Sequence, residues 1–302
     1  MPSPDTTQSQ NTSILSCPPD GDFRILLLTD FHNDTGEDAA RRTWDDVRDM
    51  IQQRQPHFLA LTGDIWCGDE EPKRARRLME RDLQELAGIG LPWAFAWGNH
   101  DYMGQMEEDA RQLRSAPYSA MAGGDELGNC RVELRDAANE RPLWDFYFIN
   151  SRELWRPDTD WQWFEAETAR LREERGEVLP SLLFFHIPLT QYEEARLSGH
   201  YTGIAREPVL CWGDDGTGIE RIEAAGGVRA CFCGHSHAND FFFERGGTIY
   251  AYGRATGHGG YGGEKLAKGA KIIDFNALDP AAPLDIYTIF ADGSEWRPEG
   301  RR

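Results

Sequence analysis

Long apolar runs, cysteine pairs and a targeting segment are all missing from the sequence. No apolar run reaches the ~18 residues that a membrane-spanning helix needs. The N-terminus has neither the basic stretch nor the apolar stretch of a secretory signal, and we expect residues 1–20 to form a disordered leader. There are only six cysteines and none forms a Cys-x-x-Cys pair, so neither a disulfide framework nor a zinc ribbon is indicated. These absences favour a protein of the reducing cytoplasm without a membrane segment.

Positive charge is also scarce. Lys and Arg total 32 against 51 Asp and Glu, which gives a formal net charge of -19. This acidity argues against binding of long nucleic acids and against docking on anionic lipid, because both need clustered basic residues. A phosphate-bearing ligand would need another source of positive charge.

What is present is enough apolar material for a large folded core. The 302 residues are 40% hydrophobic and 11% aromatic, which excludes a mainly disordered chain. Buried strands are predicted at residues 23–29, 58–62 and 93–97, separated by amphipathic helices at 36–54 and 72–88. This alternation of strand and helix predicts a parallel sheet.

The second half of the sequence is richer in strands, with helices predicted only near 160–175 and at 217–225. The predicted strands are 130–135, 144–150, 181–186, 229–233, 239–244, 247–252, 270–275 and 284–290. The last of these follow one another without helices, which predicts hairpins and a second, mixed sheet. We therefore predict an α/β fold in which residues 21–302 form one domain, a sandwich of two mixed sheets with helices outside.

Polar side chains with catalytic or metal-binding chemistry follow five of the predicted strands. They are Asp30 and His32, then Asp64, then Asn99, His100 and Asp101, then His186, and finally His235 and His237. In open α/β sheets, ligands bind beyond the carboxyl ends of the strands. Residues two apart in extended backbone point to one side, which pairs Asp30 with His32 and likewise the last two histidines.

The types of these side chains indicate a metal centre. Carboxylate together with imidazole suits Mn, Fe or Zn better than Ca, which prefers an all-oxygen shell. Seven ligands, one of them a bridging carboxylate, fit two metal ions ~3.5–4 Å apart, which can hold a phosphoryl group and activate a bridging water. Bound metal would also supply the positive charge that the acidic chain lacks.

In this order, the motifs resemble those of the calcineurin-like metallophosphoesterases. That family's pattern is Asp-x-His, Gly-Asp, Gly-Asn-His-Asp or Glu, a lone His, and Gly-His-x-His. It is matched at residues 30–32, 63–64, 98–101, 186 and 234–237. The resemblance implies an αββα sandwich with a dinuclear metal site at its edge, and a phosphoester hydrolase whose nucleophile is a metal-bridging hydroxide.

The resemblance also implies a role for each of these residues. One metal would be held by Asp30, His32 and His237 and the other by Asn99, His186 and His235, with Asp64 as the bridge. His100 would be the acid or the phosphate-binding group, and Asp101 would orient its ring.

Within the family, the chain is most similar to the proteins related to the purple acid phosphatases. The grounds are Phe-His-Ile-Pro-Leu at 185–189 and the Gly-rich stretch at 252–262. The purple enzymes carry Asp-x-Gly and Gly-Asp-x-x-Tyr, whereas this chain has His32 and Cys67 at the positions of that Gly and that Tyr. A tyrosinate-to-iron colour is therefore not expected.

Three residues are candidates for contact with the substrate. Arg254 is the candidate for a phosphate oxygen, and Tyr102 and His258 are candidates for the walls of the cleft. The expected partner is a small phosphorylated molecule or a phosphoprotein, cleaved as a monoester or a diester. Two other functions stay open: a non-catalytic binding module on the same fold, and a nucleotide-directed phosphodiesterase or nuclease.

Overall fold

The computed structural model describes residues 12–67, 71–101, 104–151 and 160–298, which form fourteen strands and six helices. The strands are β1 (Ser13–Ser16), β2 (Asp22–Leu28), β3 (Phe58–Leu61), β4 (Trp93–Phe95), β5 (Cys130–Arg135), β6 (Pro142–Phe148), β7 (Ser181–Phe184), β8 (Thr202–Ala205), β9 (Val228–Cys233), β10 (Asn239–Arg245), β11 (Thr248–Tyr252), β12 (Ala270–Asn276), β13 (Asp285–Ile289) and β14 (Glu295–Trp296). The helices are α1 (Glu37–Arg54), α2 (Pro72–Ile89), α3 (Met106–Ser115), α4 (Gln162–Arg175), α5 (Thr190–Ser198) and α6 (Gly218–Ala225).

The strands form two mixed sheets. The eight-stranded sheet has the order β1-β5-β6-β7-β9-β11-β10-β8, and the six-stranded sheet has the order β14-β13-β12-β2-β3-β4. Strands β2, β3 and β4 are parallel neighbours, and so are β6, β7 and β9. The carboxyl ends of three parallel strands therefore meet at one edge of each sheet.

Alternation along the eight-stranded sheet divides the core into two layers. In β7, Leu182 and Phe184 belong to an apolar cluster shared with the six-stranded sheet, whereas Leu183 belongs to a second cluster. Successive side chains of a strand point to opposite faces. The second cluster includes Phe164 of α4 and Tyr192 of α5, so one face of the sheet meets the other sheet and the opposite face meets helices. The predicted sandwich of two mixed sheets flanked by helices is confirmed.

The two long helices of the first half form as their apolar spacing predicts. Helix α1 buries Trp44, Val47 and Met50 on one stripe, and all three join the apolar cluster that contains the side chains of the six-stranded sheet. Helix α2 ends at Gly90, whose φ of 74° is a left-handed conformation that glycine adopts without a steric penalty. Among the described residues, no helix combines the length and the apolar character needed to cross a bilayer.

The prediction of a disordered leader is wrong for its last part. Strand β1 pairs in parallel with β5, with Ser13 opposite Val132, so the fold begins before Asp20. Residues 1–11 lie outside the described residues. The sequence patterns also do not predict α3, α5, β8 and β14, which are all short. Treatment of the rest of the chain as one domain stays a prediction.

Candidate metal centre

All seven predicted metal ligands lie in the loops that follow β2, β3, β4, β7 and β9. Backbone hydrogen bonds connect these loops to one another. The N–H of Asp30 donates to the carbonyl oxygen of Gly63 at 3.0 Å, and the N–H of Gly234 donates to that of His186 at 3.0 Å. The backbone N–H of His235 also donates to the Asp30 carboxylate at 3.1 Å, so the two sheets bring their ligand-bearing loops together at one edge of the sandwich.

Four of the predicted ligands have a left-handed backbone. The φ angle is 56° at Asp30, 51° at His32, 54° at Asp64 and 77° at His235. This conformation costs a non-glycine residue about 1–2 kcal/mol, and only eight non-glycine residues of the described chain adopt it. Concentration of backbone strain at one edge is typical of a functional site.

Two glycines allow the loops after β3 and β4 to touch. A Cβ atom on Gly63 would lie 2.6 Å from the backbone nitrogen of Gly98, and one on Gly98 would collide with Asp64. Because neither position has room for a side chain, the Gly-Asp and Gly-Asn-His-Asp motifs need their glycines for this close approach.

The first cluster of candidate ligands consists of Asp30, His32 and His237, whose ligand atoms lie within 4.8 Å of one another. The Nε2 atoms of His32 and His237 are 3.1 Å apart, and Nε2 of His237 is 3.2 Å from Oδ1 of Asp30. The Thr29 hydroxyl donates to Oδ2 of Asp30 at 2.8 Å, and the N–H of His235 donates to Oδ1 of Asp30 at 3.1 Å. These hydrogen bonds hold the Asp30 carboxylate towards the two imidazoles.

The second cluster consists of Asp64, His186 and His235, again with ligand atoms within 4.8 Å. Oδ2 of Asp64 lies 3.0 Å from Nε2 of His186 and 3.8 Å from Nε2 of His32, which belongs to the first cluster. The N–H of His100 donates to the other carboxylate oxygen, Oδ1, at 2.9 Å. Asp64 therefore lies between the two clusters, where a bridging ligand would have to be.

Two buried atoms of the second site, Nε2 of His235 and Oδ1 of Asn99, have no hydrogen-bond partner among the described residues. Nε2 of His186 faces the Asp64 carboxylate at 3.0 Å. An unsatisfied buried polar atom costs about 1–3 kcal/mol, and all three residues are predicted to hold one metal. Nδ1 of His186 donates to the carbonyl oxygen of Thr62 at 2.7 Å, which turns Nε2 into the site as in metal-ligating histidines. The residues present fit a metal ion.

The electrostatics of the site favour the charge states that ligands need. Burial would raise the pKa of Asp64, but His186 holds it well below its usual range. Burial also lowers the pKa of His32 and of His235 to about 4, so both rings are neutral at pH 7. Burial opposes protonation of His186 as well, yet the Asp64 carboxylate raises the pKa of that ring to about 9. A metal ion in place of that proton would balance the same carboxylate.

His100 lies beside the first cluster and lines a cleft. Its ring packs edge-on against His32, with 5.5 Å between ring centroids. The cleft has a volume of about 260 Å³, and His32, Cys67 and Arg74 line it together with His100. An acid or a phosphate-binding group would have access to a ligand from this position.

Comparison of the sequence with models of known protein families identifies the same family that the motifs resemble. The model of the calcineurin-like phosphoesterases matches residues 23–239, which contain every candidate ligand. The chain belongs to the calcineurin-like phosphoesterase family. Metal-dependent hydrolysis of phosphoesters is therefore the general chemistry of its family and fold.

The curated relatives of this chain include purple-acid-phosphatase-like proteins, as predicted. It is 26% identical over 301 residues to the probable inactive purple acid phosphatase 28 of Arabidopsis thaliana, an alignment that covers 84% of this chain and 75% of the relative. It is 25% identical over 264 residues to phosphatase DCR2 of Saccharomyces cerevisiae, which covers 74% of this chain and 45% of that protein. The chain thus spans less than half the length of the yeast phosphatase.

Solved structures of low sequence identity share the fold. A dimetal phosphatase from Danio rerio superposes with a TM-score of 0.58 at 13% identity, over 85% of this chain and 96% of the other. GAP50, the anchor in the inner membrane complex of Plasmodium, superposes with a TM-score of 0.57 at 11% identity, over 93% of this chain and 88% of the other. The predicted metallophosphoesterase fold is confirmed.

Asp101 accepts backbone N–H groups of the loops after β3 and β4, and its predicted orientation of the His100 ring stays a prediction. Its Oδ2 accepts the backbone N–H groups of Asp64 at 2.6 Å and of Gly98 at 2.9 Å. Its Oδ1 accepts those of the two residues after Asp64, at 2.9 and 3.3 Å. Burial and the Asp64 carboxylate raise the pKa of Asp101 to about 7, while the four donated hydrogen bonds favour its ionised form. Asp101 holds the β3 and β4 loops together and so positions Asp64.

Arg254 does not reach the substrate cleft, and its predicted contact with a phosphate oxygen is wrong. The residue is 2% exposed, and two of its guanidinium nitrogens pair with Asp240 at 2.7 Å. A third nitrogen donates to the carbonyl oxygen of Ala267 at 2.9 Å. Arg254 is part of a buried ionic cluster.

His258 is paired with a carboxylate of α1, and its predicted contact with substrate stays a prediction. Its Nε2 lies 2.6 Å from the Asp46 carboxylate of α1, and its N–H donates to the Thr43 hydroxyl at 2.9 Å. Tyr102, the third substrate candidate, lies outside the described residues.

The Gly-rich stretch has a structural role that its composition alone does not reveal. It runs across the ligand-bearing loop after β2 and the one after β9, and a Cβ on Gly257 would collide with Phe31. A Cβ on Gly260 would collide with the His237 ring. Next to it, the carbonyl oxygen of Tyr261 accepts from Nδ1 of His237 at 3.0 Å. The stretch therefore packs against His237, a candidate metal ligand, and fixes its ring through the Nδ1 hydrogen bond.

Two further side chains touch candidate ligands. The Cys67 thiol lies 2.7 Å from Nδ1 of His32, the opposite edge of the ring from the nitrogen that faces His237. The Trp212 ring lies 5.0 Å from the His235 ring. Adjacency to a motif points to Cys67 in the sequence, whereas no sequence signal singles out Trp212.

Proposed function

We propose that this protein is a phosphoester hydrolase with a dinuclear metal centre. The proposed ligands are Asp30, His32 and His237 for one metal and Asn99, His186 and His235 for the other, with Asp64 as the bridge. The observation that carries the proposal is the Asp64 carboxylate, which lies between two clusters of ligand atoms, next to unpartnered, buried ligand atoms on Asn99 and His235.

When bound, two ions of manganese, iron or zinc would neutralise phosphoryl oxygens and lower the pKa of an attacking water. Residues of the chain would position the metal ligands and transfer the proton. Asp101 fixes the loop that carries Asp64. His100, in the cleft beside the first cluster, is placed to donate a proton to the leaving oxygen or to stabilise charge on the phosphoryl group.

The charges of the cleft favour a small substrate with a single phosphate. Its lining contains one arginine, Arg74, together with the carboxylates of Asp34 and Glu71. The net charge of -19 disfavours long nucleic acids as substrates and anionic membranes as partners. A small phosphorylated molecule or a phosphorylated side chain meets these limits. All six cysteines carry free thiols, which suits a reducing compartment such as the cytoplasm.

A second candidate function is a non-catalytic binding module. The name of the Arabidopsis thaliana relative includes the words probable inactive, and one structural neighbour is described as an anchor. This chain keeps the complete ligand set and His100, which favours catalysis. Nucleotide-directed phosphodiesterase activity is a special case of the first proposal.

Hydrolysis by metal-free protein after addition of Mn, Zn, Fe or Mg separates these functions. The esters are nitrophenyl phosphate, its bis ester, a cyclic nucleotide and a phosphopeptide. We expect at least one ester to be cleaved with a metal and none without. Metal binding without hydrolysis of any ester would favour the binding module.

A further inference from the structure

Two exposed aromatic side chains border the candidate metal centre. The exposed large apolar side chains of the described chain include three aromatics: Tyr118, Trp212 and Tyr261. Two of the three touch imidazoles of proposed metal ligands. Trp212 is 47% exposed and Tyr261 is 50% exposed although each already packs on a ring.

Each aromatic ring lies against a different proposed metal site. Tyr261 stacks on His237 of the first cluster, with 4.1 Å between centroids and 15° between planes. Trp212 meets His235 of the second cluster edge-on, with 5.0 Å between centroids and 74° between planes. Apolar, planar surface is thus available directly beside both sites.

The charged groups around this surface do not suit a second phosphate. The Tyr261 hydroxyl donates to Glu207 at 3.0 Å, and the Lys268 ammonium donates to the carbonyl oxygen of Tyr261 at 2.8 Å. Beside Tyr261, the described contacts thus supply one carboxylate and one ammonium rather than the cluster of cations that a polyphosphate needs. Exposed Trp and Tyr rings instead bind planar rings by stacking.

We infer that Trp212 and Tyr261 form an aromatic flank that binds the leaving group of an aryl phosphoester. The inference rests on the proposed function, because it places the phosphoryl group at the two clusters. Both rings directly contact proposed ligands, so a ring bound to the flank would lie close to the phosphoryl group. This position suits an aromatic ring attached directly to the ester oxygen. It does not suit a nucleotide base, which a ribose separates from the phosphate.

The test is calorimetric binding of two phosphonates to the manganese-loaded protein. Phenylphosphonate carries the ring and methylphosphonate lacks it, and neither is hydrolysed. We expect phenylphosphonate to bind about tenfold more tightly. Trp212→Ala should abolish most of this difference, and Trp212→Phe should retain much of it.

Tyr118→Ala is the matched control. Tyr118 is 54% exposed and follows α3 in the chain. Its carbonyl oxygen accepts the backbone N–H of Trp93, the first residue of β4, so it lies at the opposite end of that strand from the ligand loop. Its removal should leave the ratio of the two affinities unchanged. The flank would be refuted if the wild-type protein bound both phosphonates with equal affinity, or if Trp212→Ala weakened both equally. Either result would leave the proposed function standing.

Two further outcomes separate the flank from the proposed function. If neither phosphonate binds to the metal-loaded protein, the phosphate site fails and the flank fails with it. A preference of AMP over ribose 5-phosphate that exceeds the preference for phenylphosphonate would overturn the aryl class. We expect the preference for AMP to be smaller than the preference for phenylphosphonate, because the ribose would hold the base of AMP away from the flank.

Discussion

At the scale of single residues, Asp64 is the side chain on which both clusters depend. Its Oδ2 is 3.0 Å from His186 and 3.8 Å from His32. Asp64→Asn removes the negative charge between the clusters, so it should lose at least one metal and nearly all hydrolysis. Elemental analysis and a hydrolysis rate measure both effects, with Asp46→Asn, outside the clusters, as the control. Two metals per chain at a near-normal rate would refute the bridging role.

His100 has a separate role that a second variant tests. Its ring lines the cleft beside His32 without belonging to either cluster. His100→Ala should keep both metals and lose about 10²–10⁴-fold in turnover. The loss should shrink for esters with acidic leaving groups, which need little protonation. Loss of a metal with unchanged sensitivity to the leaving group would make His100 a ligand instead.

The candidate metal ligands could be predicted from the sequence because they belong to short motifs that follow predicted strands. Substrate contacts could not be predicted in this way. Arg254 has the chemistry of a phosphate ligand, but its partner Asp240 lies on another strand and uses up its charge. His258 is likewise paired with Asp46, which is far away in the sequence. Only the folded chain shows that both side chains are already occupied.

At the scale of elements, the site depends on contact between the loops after β3 and β4. Asp101 accepts four backbone N–H groups and joins these loops. Asp101→Asn turns an amide NH₂ towards some of these donors, so it should destabilise the fold by about 3 kcal/mol and weaken metal binding. Thermal unfolding and metal titration measure this. If the variant behaves like His100→Ala, with both metals retained, Asp101 acts on the His100 ring after all.

The long helices could be predicted from the sequence, whereas several short elements could not. Helices α1 and α2 have 18 residues each, enough for a clear apolar stripe. Helix α5 has nine residues, and its buried apolar side chains are only Tyr192 and Ala195. Strand β1 contains one apolar pair, Ile14 and Leu15, and is defined by its pairing with β5. Such elements are set by tertiary contacts that the local pattern does not contain.

At the scale of the whole molecule, a buried ionic cluster ties the two sheets together. Asp240 of β10 pairs with Arg254 and with Lys271 of β12, and it accepts from the Thr288 hydroxyl of β13 at 2.7 Å. Arg254→Met should lower the free energy of unfolding by about 3 kcal/mol and leave KM unchanged. The exposed Arg41→Met is the control. A large rise in KM at unchanged stability would instead show that Arg254 contacts the substrate.

The pH dependence of this cluster has a definite sign. Burial would raise the pKa of Asp240, but Lys271 and Arg254 lower it. The stabilisation is therefore complete above the unfolded-state pKa of about 3.9, and it is lost as the pH falls through the lower folded-state pKa. The difference in stability between the wild-type protein and Arg254→Met should be constant near neutral pH and shrink only in acid. Denaturant unfolding at several pH values measures this difference.

The central claim is that two metal ions bound at one edge of the sandwich make this chain a phosphoester hydrolase. Its most direct test is the rate of nitrophenyl phosphate hydrolysis by metal-free protein as manganese is added stepwise. The account predicts no rate without metal and a rise that levels off at two equivalents per chain. A rate that is complete at one equivalent, or absent at every ratio, would contradict it.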